Sequence, residues 1–329
     1  MRLPLLALVL LALAPAARAD TLADIKSSRH FECGTVQNVD DWGDETHGDL
    51  SELGADICRA VAVAALGDAA AATIHAFPGE PEAVLASGQL QLVVGLTPSA
   101  AVAMKYKLAY ARPVFYDSQR FLVSKQSELA KLTDLRDQVI CAKDMTPAER
   151  TLRDELTARG VAYGLQAHSE QGEMDAAMAV NRCVGAALES RLAQSRAEFH
   201  AHTDDFVFLP ERLSLAPVVP AYRASEPAFG MLVDWTISAL IEAEALGVTQ
   251  AHVAEAAKRE DMRATQLLGG DFATAAAFGL SHDWAAKVIA ATGNYGEIFA
   301  RDAGEPYKLD RGLNALWTQG GLMAPAPMQ

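Results

Sequence analysis

From residue 20 onward, short apolar runs alternate with stretches of helical period, and turn residues separate them. Thr21–Ser28 reads as a short helix and Phe31–Val36 as the strand after it. Ala55–Leu66 repeats its apolar residues at helical spacing, with Asp56 and Arg59 on the polar side. Strands at Thr73–Ala76 and Leu90–Val94 flank a helix at Pro81–Ala86 that stops at Ser87-Gly88. The pattern continues with strands at Phe121–Val123 and Gln138–Ala142, a helix at Pro147–Arg159, a helix at Glu173–Val180 and a strand at Val184–Leu188. Strands at Phe206–Leu209 and Pro217–Tyr222 lead into a long helix, Pro227–Leu246, and the remainder reads as helices separated by Gly turns. Such alternation predicts an α/β protein with mostly parallel sheets flanked by helices.

The first residues stand apart from this pattern. Arg2, an apolar run from Leu3 to Leu13 and the Ala17-Arg18-Ala19 triplet together make a cleavable signal peptide over residues 1–19. The apolar run is shorter than the ~20 residues of a membrane span. The expectation is a periplasmic chain that starts at Asp20.

Removing 19 of 329 residues leaves 310, enough for two lobes. Phe121–Lys125 would leave the first lobe and Pro217–Arg223 would return to it, which gives a Venus-flytrap architecture. Lobe 1 is then residues 20–122 plus 223–329, and lobe 2 is residues 123–222. Ligands of such sheets bind at the carboxyl ends of the strands, so the cleft should be lined by loops after Val36, Val94, Ala142 and Leu188.

Charge and cysteines narrow the function. The formal charge of −14 becomes −16 once Arg2 and Arg18 are removed, which disfavours nucleic acid as a partner. Cys33, Cys58, Cys141 and Cys183 are an even number in an exported chain, which points to disulfides. Of three pairings, Cys33–Cys58 and Cys141–Cys183 place each bridge within one lobe. Without a C-x-x-C pair, zinc and thioredoxin-like chemistry have little support. The His200-Ala-His202 segment beside Asp204 and Asp205 reads as an acidic loop, as does the run Asp40–Asp49, which lacks EF-hand spacing. No cofactor or metal is expected, and no nucleophile motif argues for an enzyme.

Several segments carry a resemblance. They include Leu22-Ala23-Asp24-Ile25-Lys26, Asp56-Ile57-Cys58-Arg59-Ala60, Leu85-Ala86-Ser87-Gly88, Tyr116-Asp117 with Gln119, Arg182-Cys183 and Trp235-Thr236. Above all there is the terminal block, Gly293-Asn-Tyr-Gly-Glu-Ile-Phe299 with Leu309-Asp-Arg-Gly-Leu-Asn-Ala-Leu-Trp-Thr-Gln-Gly-Gly-Leu-Met323. Together they resemble the periplasmic general L-amino-acid-binding proteins of ABC transporters, the solute-binding protein family 3. The resemblance implies capture of an amino acid or related solute by a monomer that delivers it to a membrane permease.

The ligand loops depart from that pattern. Family members usually carry Arg-Asn-Thr-Thr-Trp where this chain has Gly95-Leu96-Thr97-Pro98-Ser99, so Gly95 replaces the carboxylate-binding Arg. The Thr-Gly-Thr-Thr loop of lobe 2 reads Asp144-Met145-Thr146-Pro147, and the acid that receives the ligand's ammonium falls on Glu189. A zwitterion in a dry cleft needs such partners, because burying its charges unpaired costs several kcal/mol. The candidate ligand residues are therefore Trp42 as an apolar wall, Thr97 and Ser99 as donors, Lys143 as a relocated cation, Thr146 and Glu189; Arg120 is a second cation nearer the hinge. Bland roles stand beside these: Trp42 as a loop cap, Lys143 as a solvated lysine, Glu189 as a helix N-terminal acid, and Thr97-Pro98-Ser99 as an N-cap and first turn. The alternative reading is a scaffold that has lost amino-acid binding and serves as a periplasmic interaction or sensor protein.

Overall fold

The computed structural model describes residues 20–37, 50–187 and 206–327, apart from 259, 271 and 308. The predicted signal peptide lies outside these residues. The chain builds two sheets. The first contains β1 (Phe31–Gln37), β2 (Ala72–Pro78), β3 (Leu92–Leu96), β4 (Leu108–Tyr110), β5 (Phe115–Asp117) and β11 (Ala216–Arg223), in the order β2-β1-β3-β11-β4 with β5 also paired to β11. The second has the order β10-β6-β9-β7-β8, from β6 (Arg120–Ser124), β7 (Val139–Lys143), β8 (Gly164–His168), β9 (Gly185–Ala187) and β10 (Phe206–Arg212).

Within each sheet the strands joined by helices are parallel. β1 lies between β2 and β3, and β7 lies between β8 and β9. Parallel neighbours need a crossover long enough to hold a helix. α1 (Thr21–Ser28) precedes β1, α2 (Ser51–Leu66) links β1 to β2, and α3 (Glu82–Ser87) links β2 to β3. α5 (Pro147–Ala158) and α6 (Gln171–Ala179) do the same in the second sheet. β6, β10 and β11 pair antiparallel with their neighbours, because these strands enter each sheet directly from the hinge. The crossings fall at 118–119 and 213–215, so the whole of Arg120–Ser124 belongs to the second sheet and the whole of Ala216–Arg223 to the first.

The cores follow from the pattern. α2 is apolar almost all round and buries Leu53, Ile57, Val61 and Val63 between the first sheet and α7 (Pro227–Ala245). A helix of that character belongs inside a large core. α8 (Trp284–Thr292) and α9 (Tyr295–Phe299) add Trp284, Ile289, Tyr295 and Phe299 to it. α5 instead shows one apolar face, burying Leu152 and Leu156 against Ile140 of β7. Among the described residues no helix is long and apolar enough to cross a membrane. α4 (Ala100–Tyr106), β4, β5 and β8 were not evident in the apolar pattern, being short and only partly buried.

Both disulfides form as the two-lobe reading expects. Cys33–Cys58 ties β1 to α2, with Cα atoms 6.1 Å apart, and Cys141–Cys183 ties β7 to the turn before β9, with Cα atoms 5.6 Å apart. Each closes a loop of moderate length and contributes roughly 2–4 kcal/mol.

Candidate ligand-binding site

At the carboxyl end of β3, Val94 pairs with Pro220 and Leu96 with Val219, so Gly95 is an extra residue opposite a single step of β11. That is a β-bulge, and Gly95 adopts φ +115, a conformation that L side chains rarely take. A Cβ there would lie 3.3 Å from the Cβ of Val36 on the neighbouring strand. Backbone geometry gives residue 95 its own reason to be glycine, since a side chain in this bulge would be strained.

The residues after the bulge divide into one exposed group and one fixed group. Thr97 is exposed. Ser99 is the N-cap of α4: its side chain accepts from the N–H of Val102 at 3.4 Å, its own N–H donates to the Tyr110 hydroxyl at 3.2 Å, and that hydroxyl donates back to its carbonyl at 3.1 Å. The N-cap role anticipated for Thr97-Pro98-Ser99 thus falls on Ser99.

Lobe 2 presents the matching loop after β7. Lys143 is half-buried at the strand's end, in register with His168 of β8. Thr146, 8% exposed, is the N-cap of α5, with proline at the first helical position. Its hydroxyl accepts from the N–H of Glu149 at 3.2 Å and donates to the Lys143 carbonyl at 2.9 Å, so Lys143 and Thr146 form one turn. His168 Nε2 lies 3.6 Å from Cys141 Sγ, placing the second disulfide directly beneath this loop. Trp42 and Glu189 lie outside the described residues, as do His200, His202 and the Asp40–Asp49 run. Among the described residues no cluster of His, Cys, Asp or Glu is arranged to hold a metal.

Arg120 is occupied structurally. Its Nε and Nη2 donate to the Leu209 carbonyl at 2.9 and 2.8 Å, and its guanidinium lies 5.3 Å over the Phe208 ring. It fastens β6 to β10 at the hinge.

The two crossing segments are bonded to each other. Leu213 N–H donates to the Gln119 carbonyl at 2.8 Å, and Gln119 N–H donates to Ser214 Oγ at 3.1 Å. Asn314 from the terminal block caps the strand just before them: Tyr116 N–H donates to Asn314 Oδ1 at 2.6 Å, and Asn314 Nδ2 donates to the Tyr116 carbonyl at 3.0 Å. Arg311 holds that block down, donating to the Asn314 carbonyl at 3.0 and 2.7 Å and pairing with Glu244 of α7 at 2.9 Å. Its guanidinium also lies 5.3 and 4.9 Å over the rings of Tyr295 and Phe299.

No protein-family model matches the chain. It is 32% identical over 327 residues to the general L-amino acid-binding periplasmic protein AapJ of Rhizobium johnstonii, covering 96% of this chain and 95% of that protein. It is also 32% identical to the glutamate/glutamine/aspartate/asparagine-binding protein BztA of Rhodobacter capsulatus, over 96% and 95% of the two chains. The chain belongs to the periplasmic amino-acid-binding proteins of ABC transporters. A solved structure, an ABC transporter periplasmic binding protein from Brucella ovis with glutathione bound, matches with a TM-score of 0.73 at 30% identity, over 94% of this chain and 100% of that one.

In this chain the terminal block has a physical role beyond carrying the resemblance. Arg311 and Asn314 fix it against the strand that enters the hinge. The signal for this was present as an unusual polar motif, Leu-Asp-Arg-Gly-Leu-Asn, but its contacts span 198 residues of sequence.

Proposed function

We propose that this chain is the periplasmic solute-binding component of an ABC uptake system, capturing an amino acid or related small solute between its lobes and delivering it to a membrane permease. The observation that carries the reading is the end-to-end likeness to two periplasmic amino-acid-binding proteins. The signal-peptide pattern of residues 1–19 supports export to the same compartment. The protein acts by binding, without catalysis, and as a monomer that presents both lobes to the permease.

The site follows from the loops at the carboxyl ends of β3 and β7. Thr97 offers an exposed hydroxyl, and Lys143 supplies the cation that Gly95 does not. Ser99 and Thr146 shape the loops through their caps. Trp42 and Glu189 complete the set, Glu189 receiving the ligand's ammonium. The bulge at Gly95 favours one alternative, a scaffold without zwitterion binding that serves a protein partner. Affinity capture from detergent-solubilised envelopes of the native host separates the two. Recovery of a permease and its ATPase is the expected result, while a soluble periplasmic protein alone would favour the alternative.

A further inference from the structure

A small cavity of about 50 Å³ lies at the hinge, apart from the loops described above. Its walls come from both lobes: Arg120, Phe208 and Arg212 from the second sheet, and Tyr116 with residues 309–314 of the terminal block from the first. Four charged side chains line it, namely Arg120, Arg212, Asp310 and Arg311. Two of them are committed. Arg120 lies on the Leu209 carbonyl, and Arg311 is paired with Glu244. Arg212 and Asp310 remain, one from each lobe, both exposed and carrying opposite charge.

Their placement is constrained. Arg212 ends β10 immediately before the return crossing, and its Nη2 would lie 3.3 Å from a Cβ built on Gly312. Gly312 has φ +47, so the backbone passes close beneath the guanidinium. Asp310 is two residues earlier on the same segment, which Asn314 and Arg311 hold rigidly to lobe 1. No ion pair between Arg212 and Asp310 is present among the described residues.

We propose that Arg212 and Asp310 form an interlobe latch. Rotation about the 118–119 and 213–215 crossings that narrows this cavity carries the guanidinium onto the carboxylate. The terminal block then acts as a lobe 1 stop against which lobe 2 is held in one orientation. The latch sets the ratio of lobe orientations before any ligand binds, and so the fraction of protein in the binding-competent form. An exposed pair of this kind shifts such a ratio by about two- to fivefold. The proposal rests on the two-lobed fold alone and stands or falls independently of the ligand.

The test is a charge swap read by pulsed electron–electron double resonance. Spin labels go on cysteines introduced at Met104 and Met145, which are 82% and 81% exposed on lobe 1 and lobe 2. The four native cysteines stay in their disulfides. Arg212→Glu and Asp310→Arg should each change the interlobe distance distribution, and the double variant should restore it. Single variants indistinguishable from the parent, or a double variant whose shift is the sum of the two, would overturn the latch. A thermal melt of each variant checks that both lobes remain folded.

Discussion

A Cβ on residue 95 would press on Val36 from a backbone angle that only glycine holds comfortably. Gly95→Ala should therefore cost roughly 1–3 kcal/mol, seen as a lower urea midpoint at unchanged slope. An unchanged midpoint would mean that the bulge is not fixed by this residue. Asp302 offers a second residue-scale prediction. Burial pushes its carboxyl up to about 7, and the neighbouring Asp56 adds to the effect while Arg301 opposes it. The folded protein thus holds this proton more tightly than the unfolded chain. Stability from this group is complete below the ordinary carboxylate range and falls as pH rises through about 7. Asp302→Asn should flatten the loss of melting temperature between pH 5 and 8; a parallel decline in both proteins would place the titration elsewhere. The sequence identified Gly95 as a departure but gave no physical reason for it. The reason lies in the register of β11, more than a hundred residues away, which no local pattern carries.

At the scale of elements, the apolar pattern was enough where segments are long and buried. α1, α5 and α7 begin at the residues it indicates, because an N-cap or a proline marks each start. α2 starts earlier than the pattern suggests, since its first turn, Ser51-Glu52-Leu53-Gly54, includes a glycine of poor helix propensity that Thr35 packs against. β8 was missed because it is short and its alternation is inverted, with Leu165 and Ala167 exposed and Gln166 and His168 partly buried. The disulfides sort the elements into mechanical units. Replacing Cys141 and Cys183 with serine should cost roughly 2–4 kcal/mol and speed amide exchange in β7, β8 and α6. Exchange in β1–β3 should hardly change. Equal acceleration in both sheets would show that the bridge does not act on lobe 2 alone.

For the whole molecule, the two-lobed architecture was legible because strand–helix alternation and two crossings leave few arrangements. The side-chain partners in the proposed ligand loops were less legible. Ser99 and Thr146 read as polar residues of the loops after β3 and β7; the hydroxyl of Ser99 takes the N-cap role anticipated for its segment, and that of Thr146 caps α5. Side-chain partners of that kind depend on the exact turn each loop makes, and a sequence gives residue types without that turn. The proposed ligand set of exposed Thr97, half-buried Lys143 and Glu189 is sparser than a zwitterion ordinarily meets. In the proposed function the folded form nevertheless binds a small solute and the unfolded chain does not. A ligand present at a hundred times its dissociation constant then stabilises the fold by about 2.7 kcal/mol. The most direct measurement is thermal unfolding of the protein against the twenty L-amino acids, small dicarboxylates and glutathione at millimolar concentration. The account predicts that at least one of them raises the melting temperature in a saturable way. A panel with no shift at any concentration would contradict it.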